Sequence, residues 1–446
     1  MPDLNLASAP STQLRRALRL RDLILYGIII IQPTAPMPVF GVVSQTARGH
    51  VVTAVLIAMV AMLFTAVSYG RMARVVPSAG SAYSYVSHSL HPGMGYLTGW
   101  SVALDYMLNP VVCTIWCSKA AQNFFPYLPF WLLALFFAGL FTTLNLRGIE
   151  TSARINFGMA AGMGIVVLLF LVYASRYIAH QHLPPASLLR PFYDPASFNF
   201  SRLGSGVAIA VLTYIGFDSV STLGEEVENP RRNILLATVL VCLITGALAA
   251  MEVYAAQLVW PDYAKYPDVD TAFVYVAGRA GGTWLFALLN FTLLVATVGS
   301  GFTSQLAAAR LLLGMGRDNA IPRRFFASVD ERTRVPRNNV VFCGVIAFVA
   351  ALSMSYARGA ELLNFGAFIA FMSVNAAAFW EYCVRRSQHR WQDWLPPVLG
   401  FIVCFYIWLH LSTPAKIAGS AWLALGAAYG WYRGVFRKPR NVITEA

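Results

Sequence analysis

Charge is what this chain has least of. Of its 446 residues only 12% are Asp, Glu, Lys or Arg, roughly half the ~25% typical of a soluble domain. That shortage excludes a string of water-soluble domains. With 57% hydrophobic residues in long runs, it points to an all-α polytopic membrane protein. Acid is scarcer than base, 20 residues against 33, for a net charge of +13. Such a balance in a soluble protein would raise nucleic acid as a partner. Here there is no nucleic-acid signature, and the basic residues fall in short connections between apolar runs, where membrane topology accounts for them.

Cysteine and histidine are also sparse. The six cysteines lie in or beside apolar runs without zinc spacing and read as small packing residues; Cys113 and Cys117 share one helix face. The seven histidines lie mostly in loops, and the close pair His180 and His182 has no third ligand in view. No metal or nucleophile set emerges, so an enzyme and a cofactor are not expected.

What the chain does have is apolar spans. Twelve are predicted, near 22–46, 50–70, 94–120, 129–146, 155–175, 203–223, 233–257, 284–312, 339–356, 361–382, 395–411 and 415–434, each long enough for a hydrocarbon core of about 30 Å. Residues 1–21 read as a cytoplasmic tail and 435–446 as another, flanking a transporter domain over 22–434. The first run is too long for a signal-peptide core and lacks a cleavage site. With the amino terminus inside, 24 of the 33 Lys and Arg residues fall on the inner side. That bias predicts a plasma membrane protein with both termini cytoplasmic and an even number of spans.

Two spans are interrupted. Span one carries Gln32-Pro-Thr-Ala-Pro-Met-Pro38. Each proline removes a backbone donor and clashes with the preceding turn, and three within six residues exceed what a kink needs. Span six carries Gly216-Phe-Asp218. Freed backbone groups at membrane depth are tolerated only when buried in protein or lining a cavity. The two interruptions lie five spans apart, an odd number, so a repeat of that size would be inverted in the membrane: repeat one over about 22–175, repeat two over about 203–382, and spans eleven and twelve outside. Paired breaks of this kind mark a midplane substrate site. Candidate binding residues are therefore Gln32, Pro33, Thr34, Ala35 and Pro36 from the first break and Tyr214, Gly216, Phe217 and Asp218 from the second.

Carboxylates within a bilayer are expensive and usually functional. Asp218 suits an ammonium ligand, a coupling proton, or a cap on the following half-helix. Asp105, with Trp100, Tyr106 and Asn109 nearby, suits either an aromatic and acidic wall for an organic cation or an interhelical hydrogen-bond network. Glu225, nearest the membrane in the acidic cluster after span six, is a candidate inner gate. Ser300, Thr303 and Ser304 in span eight either permit close packing or offer oxygens to a small cation. Asn364 in span ten is a candidate outer closure or a packing residue. Lys119 and Glu252 are weaker site candidates.

Several pieces, taken in order, carry a family resemblance: Ser68-Tyr-Gly-Arg71, Pro77-Ser-Ala-Gly-Ser-Ala-Tyr83, Gly99-Trp-Ser with Leu104-Asp-Tyr106, Gly216-Phe-Asp-Ser219 with Glu225-Glu226, Met315-Gly-Arg-Asp-Asn319 and Asn364-Phe-Gly-Ala367. Over nearly its whole length the chain resembles the amino acid–polyamine–organocation transporter superfamily, in particular its branch of bacterial putrescine importers. The resemblance implies twelve transmembrane helices in a 5+5 inverted-repeat (LeuT-like) fold with helices 1 and 6 broken, rocking-bundle alternating access, and proton-driven import of amines or amino acids. Two positions depart from the superfamily pattern. Its first-helix break is usually glycine-rich, with N–H groups that hold a substrate carboxylate; Gln32-Pro-Thr-Ala-Pro36 stands here, and proline cannot donate. Met163 occupies the position where many members carry a lysine. Asp105 and Asp218 thus suit a cationic substrate better than a carboxylate.

The leading expectation is a secondary active transporter, a proton-coupled importer of a putrescine-like polyamine or an amino acid. The alternative within the class is a neutral or cationic amino acid permease or exchanger. A channel would need pore-lining polar repeats, and a sensor an added soluble domain. The expected partners are a small amine or amino acid and the lipid bilayer; the oligomeric state is open.

Overall fold

The computed structural model describes residues 18–76, 81–147, 153–223, 227–317, 321–330, 335–387 and 390–437. Among them the chain is helical, and a lone bridge between Leu18 and Val227 is the only β pairing. In chain order the helices are α1 (Leu20–Ile31), α2 (Pro36–Thr46), α3 (Val51–Val75), α4 (Ser81–Ser89), α5 (Pro92–Gln122), α6 (Phe130–Leu146), α7 (Ala153–His180), α8 (Pro185–Leu189), α9 (Phe200–Ala210), α10 (Pro230–Val259), α11 (Ala272–Arg317), α12 (Arg323–Phe326), α13 (Arg337–Ser353), α14 (Tyr356–Phe379), α15 (Trp391–Leu409) and α16 (Thr413–Tyr432). Two 3-10 segments, Val211–Tyr214 and Phe217–Leu223, follow α9.

Helix covers each of the twelve predicted spans. Seven helical segments are long and apolar enough to cross a membrane, or eight if α1 and α2, bent by 56° across their break, form one. Helices α6 and α13 fall short at 17 residues each. Helix α5 carries Asp105, Asn109 and Lys119 within its length, and the seven do not include it.

One boundary differs from expectation. Span eight was predicted from residue 284, yet helix α11 starts at Ala272. Gly282 (φ 76°, ψ −171°) interrupts it, so the stretch before this glycine is a short separate helix in what read as a loop. Apart from Arg279 its residues are largely apolar, but they are too few to give a span signal.

Packing follows the sequence halves. Helix α3 packs on α10, α5 on α11 and α6 on α13, each pair joining elements at corresponding places in the two halves. Helices α5 and α14 also pack closely. There the backbone of Gly366 lies so near that a Cβ would stand 2.5 Å from the Ser101 carbonyl oxygen and 3.3 Å from the Asp105 nitrogen. Only glycine fits, and it holds α14 against the turn of α5 that carries Asp105.

One ion pair is enclosed within the bundle. Arg71 on α3 donates to the Asp393 carboxylate and to the Gln392 carbonyl on α15, and its guanidinium lies 3.9 Å from the Tyr382 ring centroid. Both ion-pair side chains are under 10% exposed. The tyrosine hydroxyl returns a bond to the Arg71 carbonyl at 3.0 Å. Removing one member strands the other in a poor solvent, which costs about 3–5 kcal/mol. Asp393→Ala should therefore lower the thermal unfolding midpoint of the detergent-purified protein by several degrees. The double variant Arg71→Met/Asp393→Leu should recover much of the loss; an unchanged midpoint for Asp393→Ala would contradict this role.

Candidate functional site

The first break is proline chemistry. Helix α1 ends at Ile31, Gln32 takes a left-handed φ of 70°, and α2 begins at Pro36. A tight turn bridges them, with the Ala35 N–H donating to the Gln32 carbonyl and the Met37 N–H to the Thr34 carbonyl, both at 3.1 Å. Pro33, Pro36 and Pro38 have no N–H, so the turn removes donors that nothing at this depth could satisfy. The second break relaxes α9 into a 3-10 turn, extends at Ile215 (ψ 126°), reverses at Gly216 (φ 120°) and re-enters 3-10 helix at Phe217.

The two breaks meet. A Cβ on Gly216 would lie 2.8 Å from Ile30 Cγ2 and 3.4 Å from Ile31 Cγ1. Beside this contact is a cavity of about 110 Å³, space for several waters or one small solute by the ~10–15 Å³ that one water needs. Gln32 and Ala35 line it from the first break and Ile215 from the second. Helix α5 supplies Asn109, Cys113 and Trp116, α11 supplies Thr297 and Ser300, and α14 supplies Tyr356 and Leu363. The Gln32 amide donates to the Ala296 carbonyl at 3.2 Å, tying the broken helix to α11. The Asn109 carbonyl oxygen accepts from Ser304 Oγ at 3.1 Å and from Cys113 Sγ at 3.2 Å.

The carboxylates form a second cluster, on the other side of Gly216. Asp105 is buried and Asp218 half-buried; each lies in the other's electrostatic field, together with Tyr69, Tyr85 and Tyr106. Tyr26, one turn before the cavity-lining Ile30, also reaches Tyr106. The Asp218 carboxylate sits against the backbone amides of Gly216, Asp218 and Ser219, at the break itself and not in the position of a cap on the following segment.

The remaining candidates are placed as follows. Pro33, Thr34 and Pro36 are buried in the turn and do not line the cavity. Tyr214 is fully buried and donates to the Val55 carbonyl at 2.9 Å, directed into α3. Phe217 is equally buried, its ring 5.6 Å from Tyr69 and 5.5 Å from Phe371. Ser304 does not line the cavity, but its hydroxyl bonds two residues that do, the Ser300 carbonyl at 2.7 Å and Asn109 Oδ1 at 3.1 Å. Thr303 is exposed, its hydroxyl turned back to the Gly299 carbonyl at 2.8 Å. Asn364 is buried and donates to the Ala208 carbonyl at 2.6 Å, binding α14 to α9. Glu225 lies outside the described residues. Sequence reasoning passed over Cys113, Trp116, Thr297, Ile215 and Tyr356 as site residues. Asn109, Cys113 and Trp116 do carry a signal, the i, i+4, i+7 spacing of one helix face.

Over the cavity lies a polar roof. The Trp116 indole N–H donates to the Asp270 carbonyl at 2.9 Å, and Lys119 pairs with Asp268 at 3.3 Å. In this loop burial pushes the Asp270 carboxyl up to about 6, helped by the neighbouring Asp268 and opposed by Lys119.

Comparison with known proteins agrees with this architecture. The amino acid permease family model matches residues 39–428. The chain is 30% identical over 428 residues to the low-affinity putrescine importer PlaP of Escherichia coli (strain K12), covering 94% of this chain and 93% of the importer. It is 29% identical over 470 residues to the branched-chain amino acid permease BcaP of Lactococcus lactis subsp. cremoris, covering 95% and 96%. To cationic amino acid transporter 4, vacuolar, of Arabidopsis thaliana it is 29% identical over 386 residues, covering 81% and 62%.

The contact between the breaks generates a sharp expectation. Gly216→Ala places a methyl group against Ile30 at a φ that L-residues rarely adopt, a strain of order 1–3 kcal/mol. The variant should remain monodisperse in detergent yet lose at least ten-fold in uptake of whichever solute the wild type carries. Wild-type uptake by this variant would show that the Gly216–Ile30 approach is dispensable.

Proposed function

The chain belongs to the amino acid permease family, and on that premise we propose that it is a secondary active transporter that imports a small cationic amine, putrescine-like in chemistry, by proton-coupled alternating access. The observation that carries this reading is the meeting of two interrupted helices, at Gly216 and Ile30, beside a small cavity with two carboxylates just beyond it. Discontinuous helices facing each other are how transporters expose polar backbone to a solute at membrane depth. The packing of α3 on α10, α5 on α11 and α6 on α13 supports a 5+5 inverted repeat, because a two-fold axis between the halves brings equivalent elements together. On this reading α1 with α2, and α9 with its 3-10 extension, are the broken helices of twelve crossings. The 24-to-9 split of basic residues supports both termini in the cytoplasm and a bacterial plasma membrane location.

The chemistry of the site favours an amine. Among the described residues the cavity is lined by neutral polar and apolar groups and no Lys or Arg, and the proline-rich turn has few N–H donors to offer a carboxylate. Asp105 and Asp218 supply negative charge for an ammonium group. Two carboxylates in mutual repulsion favour holding one proton between them, which makes this pair the proposed coupling element. Occupancy by a cation and occupancy by a proton would then compete for the same charge. Met163 is buried on α7 at the position where a lysine could carry the coupling proton, so on this reading proton exchange falls to the carboxylates.

A second reading is a neutral or cationic amino acid permease. Ile30, Ile31, Val112, Ile215 and Leu363 give the cavity an apolar wall that would accept an aliphatic side chain.

Proteoliposomes with an imposed pH gradient separate these readings. Inward-directed protons should drive accumulation of radiolabelled putrescine that unlabelled putrescine inhibits and leucine does not. Strong inhibition by leucine would favour the amino acid reading, and non-saturable flux without countertransport would favour a channel. Asp218→Asn should abolish accumulation in a protein that still purifies as a single species. Asp105→Asn should raise the KM for putrescine at least ten-fold. Normal accumulation by Asp218→Asn would remove that carboxylate from the mechanism.

A further inference from the structure

A second cavity, of about 140 Å³, opens at the end of the bundle opposite the start of α1. The turn from α2 to α3 supplies Arg48 and Gly49 to it; the connection from α7 to α9 supplies Ser187, Arg190, Asp194 and Ser197; Tyr263 closes one side. Neither guanidinium has an ion-pair partner among the described residues. Asp194 also lines the cavity, its two oxygens accepting from the Ala196 N–H at 3.1 Å and from Ser197 Oγ at 3.2 Å, and its single negative charge offsets only one of the two guanidinium groups. The cavity thus presents two cations and three hydroxyl-bearing side chains, Ser187, Ser197 and Tyr263, against one carboxylate.

The frame of this cavity is built. His50, buried, has Nδ1 2.9 Å from the Ala47 carbonyl, while its Nε2 accepts the Asp194 N–H at 3.0 Å. The first contact requires a proton on Nδ1 and the second requires none on Nε2, so the ring is the neutral Nδ1–H tautomer. It clamps the 190–198 loop to the turn that carries Arg48. Thr53 Oγ1 adds a bond to the Phe192 carbonyl at 2.5 Å. In the same connection and at the start of α9, Leu188, Leu189, Phe192, Tyr193, Phe198 and Phe200 are exposed. Apolar and aromatic side chains bordering polar groups mark the membrane–water interface, where phosphate is the abundant anion and arginine its preferred partner.

We propose that this cavity is a phosphate site, and that its occupant is the headgroup of an anionic phospholipid in the leaflet at that end of the molecule, held by Arg48 and Arg190. The assignment is independent of the transported solute. The full chain, purified in a neutral detergent, would be unfolded thermally with added phosphatidylglycerol, phosphatidylcholine or inorganic phosphate. Phosphatidylglycerol should raise the midpoint several degrees above the phosphatidylcholine value. Arg48→Gln/Arg190→Gln should lose most of that increment while matching the wild type in phosphatidylcholine. Arg176→Gln/Arg202→Gln, which changes two other exposed arginines, should keep it. If millimolar inorganic phosphate reproduces the increment and displaces the lipid, the site stands and its ligand is soluble phosphate. Native mass spectrometry, counting phosphatidylglycerol retained per protein, gives a second readout should the double variant unfold early. An undiminished increment or undiminished lipid retention in Arg48→Gln/Arg190→Gln would overturn the proposal, as would equal midpoints for the two lipids in the wild type.

Discussion

A hydrocarbon interior offers no water to an unpaired backbone group, and that constraint organises this molecule. Three prolines in one apolar helix and a glycine in another each open a gap in helical hydrogen bonding. Left against lipid, either gap would cost several kcal/mol per exposed group. The fold answers by setting one gap against the other, with Gly216 seated on Ile30 and the Gln32 side chain fastened to the Ala296 carbonyl. The same arrangement that satisfies the backbone leaves a small polar cavity, so the structural need and the functional opportunity have one origin.

Charge is handled by the same economy. Arg71 and Asp393 are enclosed together beneath Tyr382, and Glu381 is shared by Arg385 and Arg386 at 3.2 and 2.9 Å. The first pair joins α3 to α15, whereas the Glu381 pairs are local to the segment that follows α14. Asp105 and Asp218 differ: among the described residues neither is in an ion pair with a cation. A pair of like charges without a counter-ion is poor architecture and good chemistry for binding something positive.

Much of this could be read before any coordinate was known, because the signals are local. Proline's missing donor and glycine's freedom act within a few residues, so the breaks at 32–38 and 216 were legible from the chain. The helical segments were legible for the same reason, since apolar content accumulates along a span. The site was legible only in part. Gln32, Ala35 and Ser300 line the cavity, whereas Tyr214 turns into α3 and Phe217 is sealed between Tyr69 and Phe371. Neighbours of a break in sequence share its backbone but not the direction of its side chains. Asn109, Cys113 and Trp116 show the converse: they stand on a regular helix with no local anomaly, and only the approach of α5 to both breaks makes them site residues.

By itself the sequence determined that the chain is helical and apolar, where its helices fail, and which residues carry charge into them. Those properties follow from covalent structure and transfer energies, which hold wherever the segment lies. The tertiary structure alone decided that the two failures meet, that Asp105 and Asp218 share one field, and that Arg48 and Arg190 converge from turns about 140 residues apart. Such juxtapositions depend on close packing over long loops, as where Gly366 admits the backbone of α5, and packing is a property of surfaces brought together, not of any one segment.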